Sequence, residues 1–245
     1  MSSRRDYRDW VAGHGLVSYT VAIGSTDLHI STCRDLSREA LMSATRCRQD
    51  IEGYIRTHPR FATSLEPLDI PPGAPDIVHE MADASRLAGV GPMAAVAGAI
   101  AEAVGRDLLA YSDEVIVENG GDIYLATKRR RVVGLYAGPS SLTGRVGIEI
   151  LPSYSPLGIC TSSGTFGHSL SFGAADACVV LARSAAVADA LATALCNRLH
   201  RADDLATVLD PTTLPIEALG VLAIVDGQAG LQGAMRLVPL DTTGR

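Results

Sequence analysis

The chain has 245 residues with 47% hydrophobic and 20% charged residues, so it can bury a sizeable core and is not a disordered polypeptide. A net charge of −6 with only 4% aromatic residues argues against a nucleic-acid partner, which calls for a basic face or a row of stacking rings. The charged start, Met1 to Trp10, is followed by no apolar run, so no signal peptide is expected. The uncharged, apolar stretch Leu87 to Ala101 is too short and too rich in Gly and Ala to cross a bilayer. Five cysteines, an odd number with no C-x-x-C pair, read as the reduced thiols of a cytoplasmic protein with no membrane partner.

In chain order, Leu16–Ile23 and Asp27–Ser31 are rich in β-branched residues and flank Gly24-Ser25-Thr26, which predicts a hairpin. Helical spacing of Leu36, Ala40, Leu41, Ala44 and Ile51 predicts a helix from Asp35 or Ser37 to about Arg56. Pro59–Pro75 holds five of the twelve prolines and reads as a loop. A helix over Asp76–Ala88 is broken by Gly89-Val-Gly-Pro-Met93, and a helix of very small residues resumes from Ala94 to Val104. The break opens a helix N-terminus, a generic anion site. Strands are expected at Val115–Glu118, Ile123–Thr127, Arg131–Ala137 and Val146–Leu151. Gly158–Ser171 reads as a polar Gly/Ser/Thr segment. Asp176–Ala182 reads as an apolar strand and Ser184–His200 as a helix capped by Ser184, and Val221–Val225 and Ala234–Val238 close the series. Cys178 and Cys196 fall in apolar runs and are expected to fill core. Short turns between neighbouring strands favour antiparallel pairing. The fold class is therefore α+β, with mostly antiparallel sheets flanked by helices in a single domain over residues 1–245.

Three segments could carry chemistry. In Glu118-Asn119-Gly120-Gly121-Asp122, the glycines permit positive φ and leave backbone N–H groups uncovered, while Asn119 and Asp122 offer directional hydrogen bonds. The same residues also suit a plain hairpin turn. Thr161-Ser162-Ser163-Gly164-Thr165-Phe-Gly-His168-Ser169 gathers five hydroxyls and a histidine, a phosphate cradle beside a possible general base, or a solvated loop. Asp189 and Thr193 lie four apart on one helical face, a hard-oxygen pair suited to Mg²⁺, or else a first-turn carboxylate with a back-bonded hydroxyl.

Together these segments resemble the ApbE-type FAD:protein FMN transferases. Ala188-Asp-Ala-Leu-Ala-Thr193-Ala-Leu is similar to their C-terminal signature, and Glu118-Asn-Gly-Gly-Asp-Ile123 to their GGD turn. The stretches at Val90–Ala101, Val117–Asp122 and Gly158–Phe172 resemble more closely an ApbE-like family of uncharacterised cytosolic proteins, a likeness that covers Leu16 to Leu199. The resemblance implies a nucleotide-like ligand, FAD as substrate or ligand, held near Asn119, Gly120, Gly121, Asp122, Thr161, Ser162, Ser163, Gly164 and Thr165. It also implies Mg²⁺ at Asp189 and Thr193, a catalytic role for His168, and FMN transfer to a protein acceptor or FAD hydrolysis. A flavin carrier without catalysis, or another small-molecule enzyme on the same scaffold, is the alternative. The chain departs from the transferases where their His-x-x-Asp-Pro becomes His168-Ser-Leu-Ser171-Phe. Their helix lysine falls at Glu102, reversing a charge expected to face phosphates, and their asparagine before the GGD turn falls at Glu118.

Overall fold

The computed structural model describes residues 15–138, 140, 142–165 and 171–240. The chain opens with the expected hairpin, β1 (Val17–Ile23) and β2 (Thr26–Thr32). Helix α1 (Ser37–Thr57) follows; the Asp35 carboxylate accepts the Ser37 N–H at 2.8 Å, one residue outside the geometric cap at Leu36. The proline-rich crossing contains one short helix, α2 (Arg60–Thr63), and α3 (Asp76–Ala88) ends on Gly89 in the left-handed conformation. A 3-10 turn at Pro92–Ala95 leads into α4 (Val96–Leu108). Then come β3 (Val115–Asn119), β4 (Asp122–Ala126), β5 (Arg131–Gly134), β6 (Val146–Ile150), β7 (Leu157–Ser162) and β8 (Ala177–Ala182). Helices α5 (Ala185–Cys196) and α6 (Asp204–Val208) precede β9 (Gly220–Val225), β10 (Gln228–Gly233) and β11 (Arg236–Pro239).

Eight strands form one sheet in the order β1-β2-β3-β4-β7-β8-β9-β10, and three form a second in the order β11-β6-β5; every pairing is antiparallel. Side chains alternate across the large sheet. Tyr124 and Ala126 of β4, with Val115 and Val117 of β3, face α4 and share one core with α1, α3 and α5. Ile123, Leu125, Ile159 and Leu181 pack instead on Val133, Ile148 and Ile150 of the small sheet. The layers are thus helices, large sheet, small sheet. A buried ion pair ties the two sheets, because Arg131 Nη2 at the start of β5 meets Glu114 Oε2 at 2.8 Å, and Thr127 Oγ1 donates to the same oxygen at 2.6 Å. Cys178 and Cys196 lie in the helix-side core, as their apolar surroundings suggested.

Three local readings change. The segment from Gly158 is not a polar loop throughout, because its first part, Gly158–Ser162, is the main length of β7, inserted between β4 and β8. Residues 228–233, with little apolar pattern, form the edge strand β10, and α6 forms in a stretch for which no element was expected. The helix begun at Ser184 ends at Cys196 rather than His200. No single helix among the described residues is long and apolar enough to cross a membrane.

Candidate functional site

The site lies where β3 and β4 meet α4 and α5. The alternation that turns Tyr124 and Ala126 toward the helices also turns Asp122 there, at the first position of β4. Asp122 is 6% exposed. Its Oδ1 accepts the Thr161 N–H at 3.2 Å just beyond the last paired residues of β4 and β7, so a side chain takes over where the backbone ladder stops. Cys160, on the same face of β7, adds its thiol beside this carboxylate and donates to Ala185 O at 3.3 Å.

Asp189 comes from the second turn of α5, yet it serves the neighbouring helix. Its Oδ2 accepts the Gly98 N–H at 2.9 Å, in the first turn of α4, where no local side chain caps the helix. Glu102, in the second turn of α4, returns the arrangement: its Oε2 accepts from Ser184 Oγ at 2.7 Å and from the Ala185 N–H at 2.6 Å. The two helices run antiparallel, and each lends a carboxylate to the other's N-terminus, the end where unpaired N–H groups and the helix dipole favour negative charge. Glu102 therefore does not reverse a charge facing phosphates, as the family comparison of residues suggested; it is 9% exposed and holds α5. The anion site foreseen at the Gly89–Met93 break is likewise taken by the protein's own Asp189.

Close approach makes this possible. A Cβ on Gly98 would stand 2.2 Å from Ala185 O and 2.9 Å from Asp189 Cβ, and one on Gly158 would stand 2.3 Å from Ala185 Cα. The small residues of α4 and β7 let α5 lie against both.

Electrostatics follow from the crowding. Burial pushes the Asp122 carboxyl up to about 7, with the Glu118 charge adding to the effect and the Thr161 N–H and Cys160 thiol opposing it. Asp189 is raised well above the usual carboxylate range, first by burial and then by the facing Asp122 charge, against the Gly98 and Ala97 N–H groups. Two buried acids, one of them raised further by the other's charge, share a site that favours a proton or a cation between them. Thr193, one turn further along α5 and 7% exposed, is on the Asp189 face.

The other expected site residues divide. Gly120 and Gly121, at φ 68° and 111°, form the two-residue turn between β3 and β4, with Glu118 Oε1 accepting the Gly121 N–H at 2.8 Å. The hairpin reading of this motif is correct, and both glycines face open space. Asn119 is 8% exposed, and its Nδ2 donates to Ala97 O at 3.1 Å, fastening the turn to the α4 N-terminus. Thr161 and Ser162 belong to β7. Gly164 donates its N–H to Ala175 O at 2.9 Å, and Ser163 and Thr165 lie 3.4 Å from each other through their hydroxyls, a loop folded on residues 173–176. His168 lies outside the described residues. Ser171, at the place of the transferases' aspartate, has its hydroxyl 3.1 Å from Asn197 Oδ1 at the end of α5. Sequence reasoning missed Cys160 as part of this site, and it set Glu102 against phosphates rather than at the N-terminus of α5.

A family described as AbpE bacteria matches residues 8–214. A UPF0280 protein of Methanocaldococcus jannaschii is 44% identical over 191 residues, covering 76% of this chain and 78% of the relative. A UPF0280 protein of Methanothermobacter thermautotrophicus is 42% identical over 228 residues, covering 90% and 88%. Among solved structures, the flavin transferase ApbE from Vibrio cholerae is similar at a TM-score of 0.57 and 16% identity, over 93% of this chain and 97% of that one. The Pseudomonas stutzeri flavinyl transferase ApbE in its apo form is similar at 0.58 and 13%, over 91% and 94%. At these identities the likeness establishes the fold, and the sequence relatives establish the kinship: the chain belongs to the UPF0280 family, an ApbE-like family of α+β proteins.

Proposed function

We propose that this protein binds a flavin-nucleotide ligand through Mg²⁺ and splits or transfers it at the pyrophosphate, with FAD as substrate. The observation that supports this reading is the pair of buried, raised carboxylates, Asp122 and Asp189, set beside the Thr193 face of α5 in an ApbE fold. The proposed donors, Asp122, Asp189 and Thr193, suit Mg²⁺ rather than zinc because they are oxygen ligands, while the Cys160 thiol is turned to Ala185 O. Among the described residues no cluster of three or more His, Cys, Asp or Glu converges. A site with two carboxylates and a hydroxyl fits a cation that keeps waters and takes its remaining ligands from substrate phosphates.

Bound there, Mg²⁺ would supply electrostatic neutralisation of the pyrophosphate oxygens. Asp189 and Thr193 would hold it, with Asp122 as the facing carboxylate, and α4 and β7 would fix their positions. Asn119 and the Gly120-Gly121 turn would border the ligand, as would the Thr161–Thr165 segment. In the reaction, a hydroxyl oxygen, from water or from a Ser or Thr of a protein acceptor, forms a bond to the flavin-side phosphorus. The bond to the AMP oxygen breaks, AMP leaves with the electron pair, and the hydroxyl proton passes to His168 as general base. Incubation with FAD and Mg²⁺, followed by separation of AMP, FMN and flavinylated protein, tests the reading. His168→Ala is expected to slow release of AMP by roughly 10²–10⁴-fold with FAD affinity retained. An unchanged rate removes His168 from the mechanism. Flavin binding without turnover is the second reading, favoured by Ser171, whose hydroxyl is turned to Asn197 where the transferases carry a carboxylate.

A further inference from the structure

A cleft of about 220 Å³ adjoins the α4 N-terminus. Asn119 and Ala97 line one end of it, and these two residues are bonded to each other. Ala97 is next to Gly98, the residue that Asp189 caps, so the cleft and the carboxylate pair are neighbours across one turn of helix. Its floor is apolar, formed by Ile51, Ile55 and Ile100. Its polar wall is Arg48 with Glu52, one turn apart on α1.

Arg48 is held in place. Its Nη1 donates to Ser25 Oγ at 3.1 Å and to Thr26 Oγ1 at 2.8 Å, its Nη2 pairs with Glu52, and its side chain is 19% exposed. The turn between β1 and β2 presses on the guanidinium, since a Cβ on Gly24 would stand 2.7 Å from Nη2. A fixed planar donor therefore stands beside a carboxylate acceptor over a bed of isoleucines.

Size and charge then decide what fits. The volume falls below the roughly 300–1,000 Å³ that encloses a whole drug-sized ligand. It holds one ring system, not a dinucleotide. A phosphate is disfavoured, because Glu52 balances Arg48 and would repel an anion. A flat heteroaromatic ring suits these walls: its faces meet the isoleucines, and an edge with an acceptor next to a donor meets the Arg48 N–H groups left over from Ser25, Thr26 and Glu52 Oε1, and the second Glu52 oxygen.

We infer that this cleft is a subsite for one heteroaromatic ring of the nucleotide ligand, with Arg48 and Glu52 reading the ring's edge. The inference rests on the nucleotide reading of the Asp122–Asp189 site, and it assigns the ring to a place that reading leaves open. Adenine and the flavin ring both present such an edge, so the test uses them separately. AMP and FMN are titrated by calorimetry, with Mg²⁺ present, into the wild type and into Glu52→Ala and Ile55→Trp. Mn²⁺ affinity of each protein is measured alone, and thermal melts report folding. Glu52 is more than half exposed, so Glu52→Ala carries the test if Ile55→Trp does not fold.

The expected result is a loss of at least about tenfold in affinity for AMP or for FMN, whichever the wild type binds, with Mn²⁺ affinity kept within about twofold. The probe that responds identifies the ring. Unchanged affinities in the variants, beside intact binding by the wild type, overturn the subsite and leave the nucleotide reading standing. A parallel loss of Mn²⁺ affinity also overturns it, since the effect would then come from the fold. Failure of the wild type to bind AMP, FMN or FAD overturns both.

Discussion

Replacement of Glu102 by alanine removes the acceptor that closes the N-terminus of α5. Two backbone N–H groups, of Ala185 at 2.6 Å and Ala186 at 3.4 Å, and the Ser184 hydroxyl at 2.7 Å lose their partner in a buried setting. A lost helix cap costs about 0.5–2 kcal/mol. A buried donor left unsatisfied costs about 1–3 kcal/mol. The Ser184 hydroxyl can turn to another acceptor, and the distant Ala186 contact is weak, so the sum centres on about 3 kcal/mol. For a chain of this length, about 2–4 °C per kcal/mol gives a fall in Tm of roughly 6–12 °C. Glu102→Gln keeps an acceptor oxygen and should lose about half as much. Glu102→Lys, which places the transferases' residue here, should be the worst of the three, because a cation would face the positive end of α5. Differential scanning calorimetry of the three variants measures the order. A lysine variant as stable as the wild type would refute the cross-capping argument, since it would mean that Glu102 faces an anionic ligand or solvent.

The Asp122 carboxyl sits at about 7 in the folded protein against 3.8 for the ordinary group, so the unfolded chain releases this proton first as pH rises. The sign is that of a raised acid: this group's contribution to stability is full below about pH 4 and declines toward pH 7, by up to about 4 kcal/mol. Asp122→Asn should flatten that profile, and Mg²⁺ should raise the wild-type Tm more at pH 8 than at pH 5; a flat wild-type profile would count against the buried pair. Gly98→Ala forces a methyl to 2.2 Å from the Ala185 carbonyl, so Tm should fall by several degrees and Mg²⁺ affinity with it; calorimetric titration showing unaltered metal binding would separate Asp189 from the α4–α5 contact. Gly121→Val meets no neighbouring atom but must hold φ 111°, which costs about 1–3 kcal/mol; equal melts for mutant and wild type would contradict the turn geometry.

The parts of the fold that local chemistry dictates were legible in the sequence. The hairpin at Gly24-Ser25, the break at Gly89 and the cap at Ser184 each announce themselves through residues a few positions apart. Strand β7 does not, because Gly158, Cys160 and Ser162 are small or polar for packing reasons: Gly158 lies under Ala185, and Cys160 and Ser162 lie buried. Strand β10 is an edge whose Gln228, Ala229 and Gly233 are exposed, so nothing imposes an apolar rhythm. The site shows the same limit. The spacing of Asp189 and Thr193 placed them on one face, but Asp189 capping α4 across 91 residues, and Glu102 capping α5 across 83, are products of the antiparallel helix pair that no local spacing encodes.

The most direct test of the Mg²⁺-dependent nucleotide reading is the appearance of AMP from FAD, followed by chromatography with Mg²⁺ or with EDTA, for the wild type and for Asp189→Asn. The account predicts AMP release by the wild type with Mg²⁺, none with EDTA, and a loss of at least about tenfold in apparent Mg²⁺ affinity in the variant. AMP release that is indifferent to both EDTA and the substitution, or a wild type that neither binds nor cleaves FAD, would contradict it.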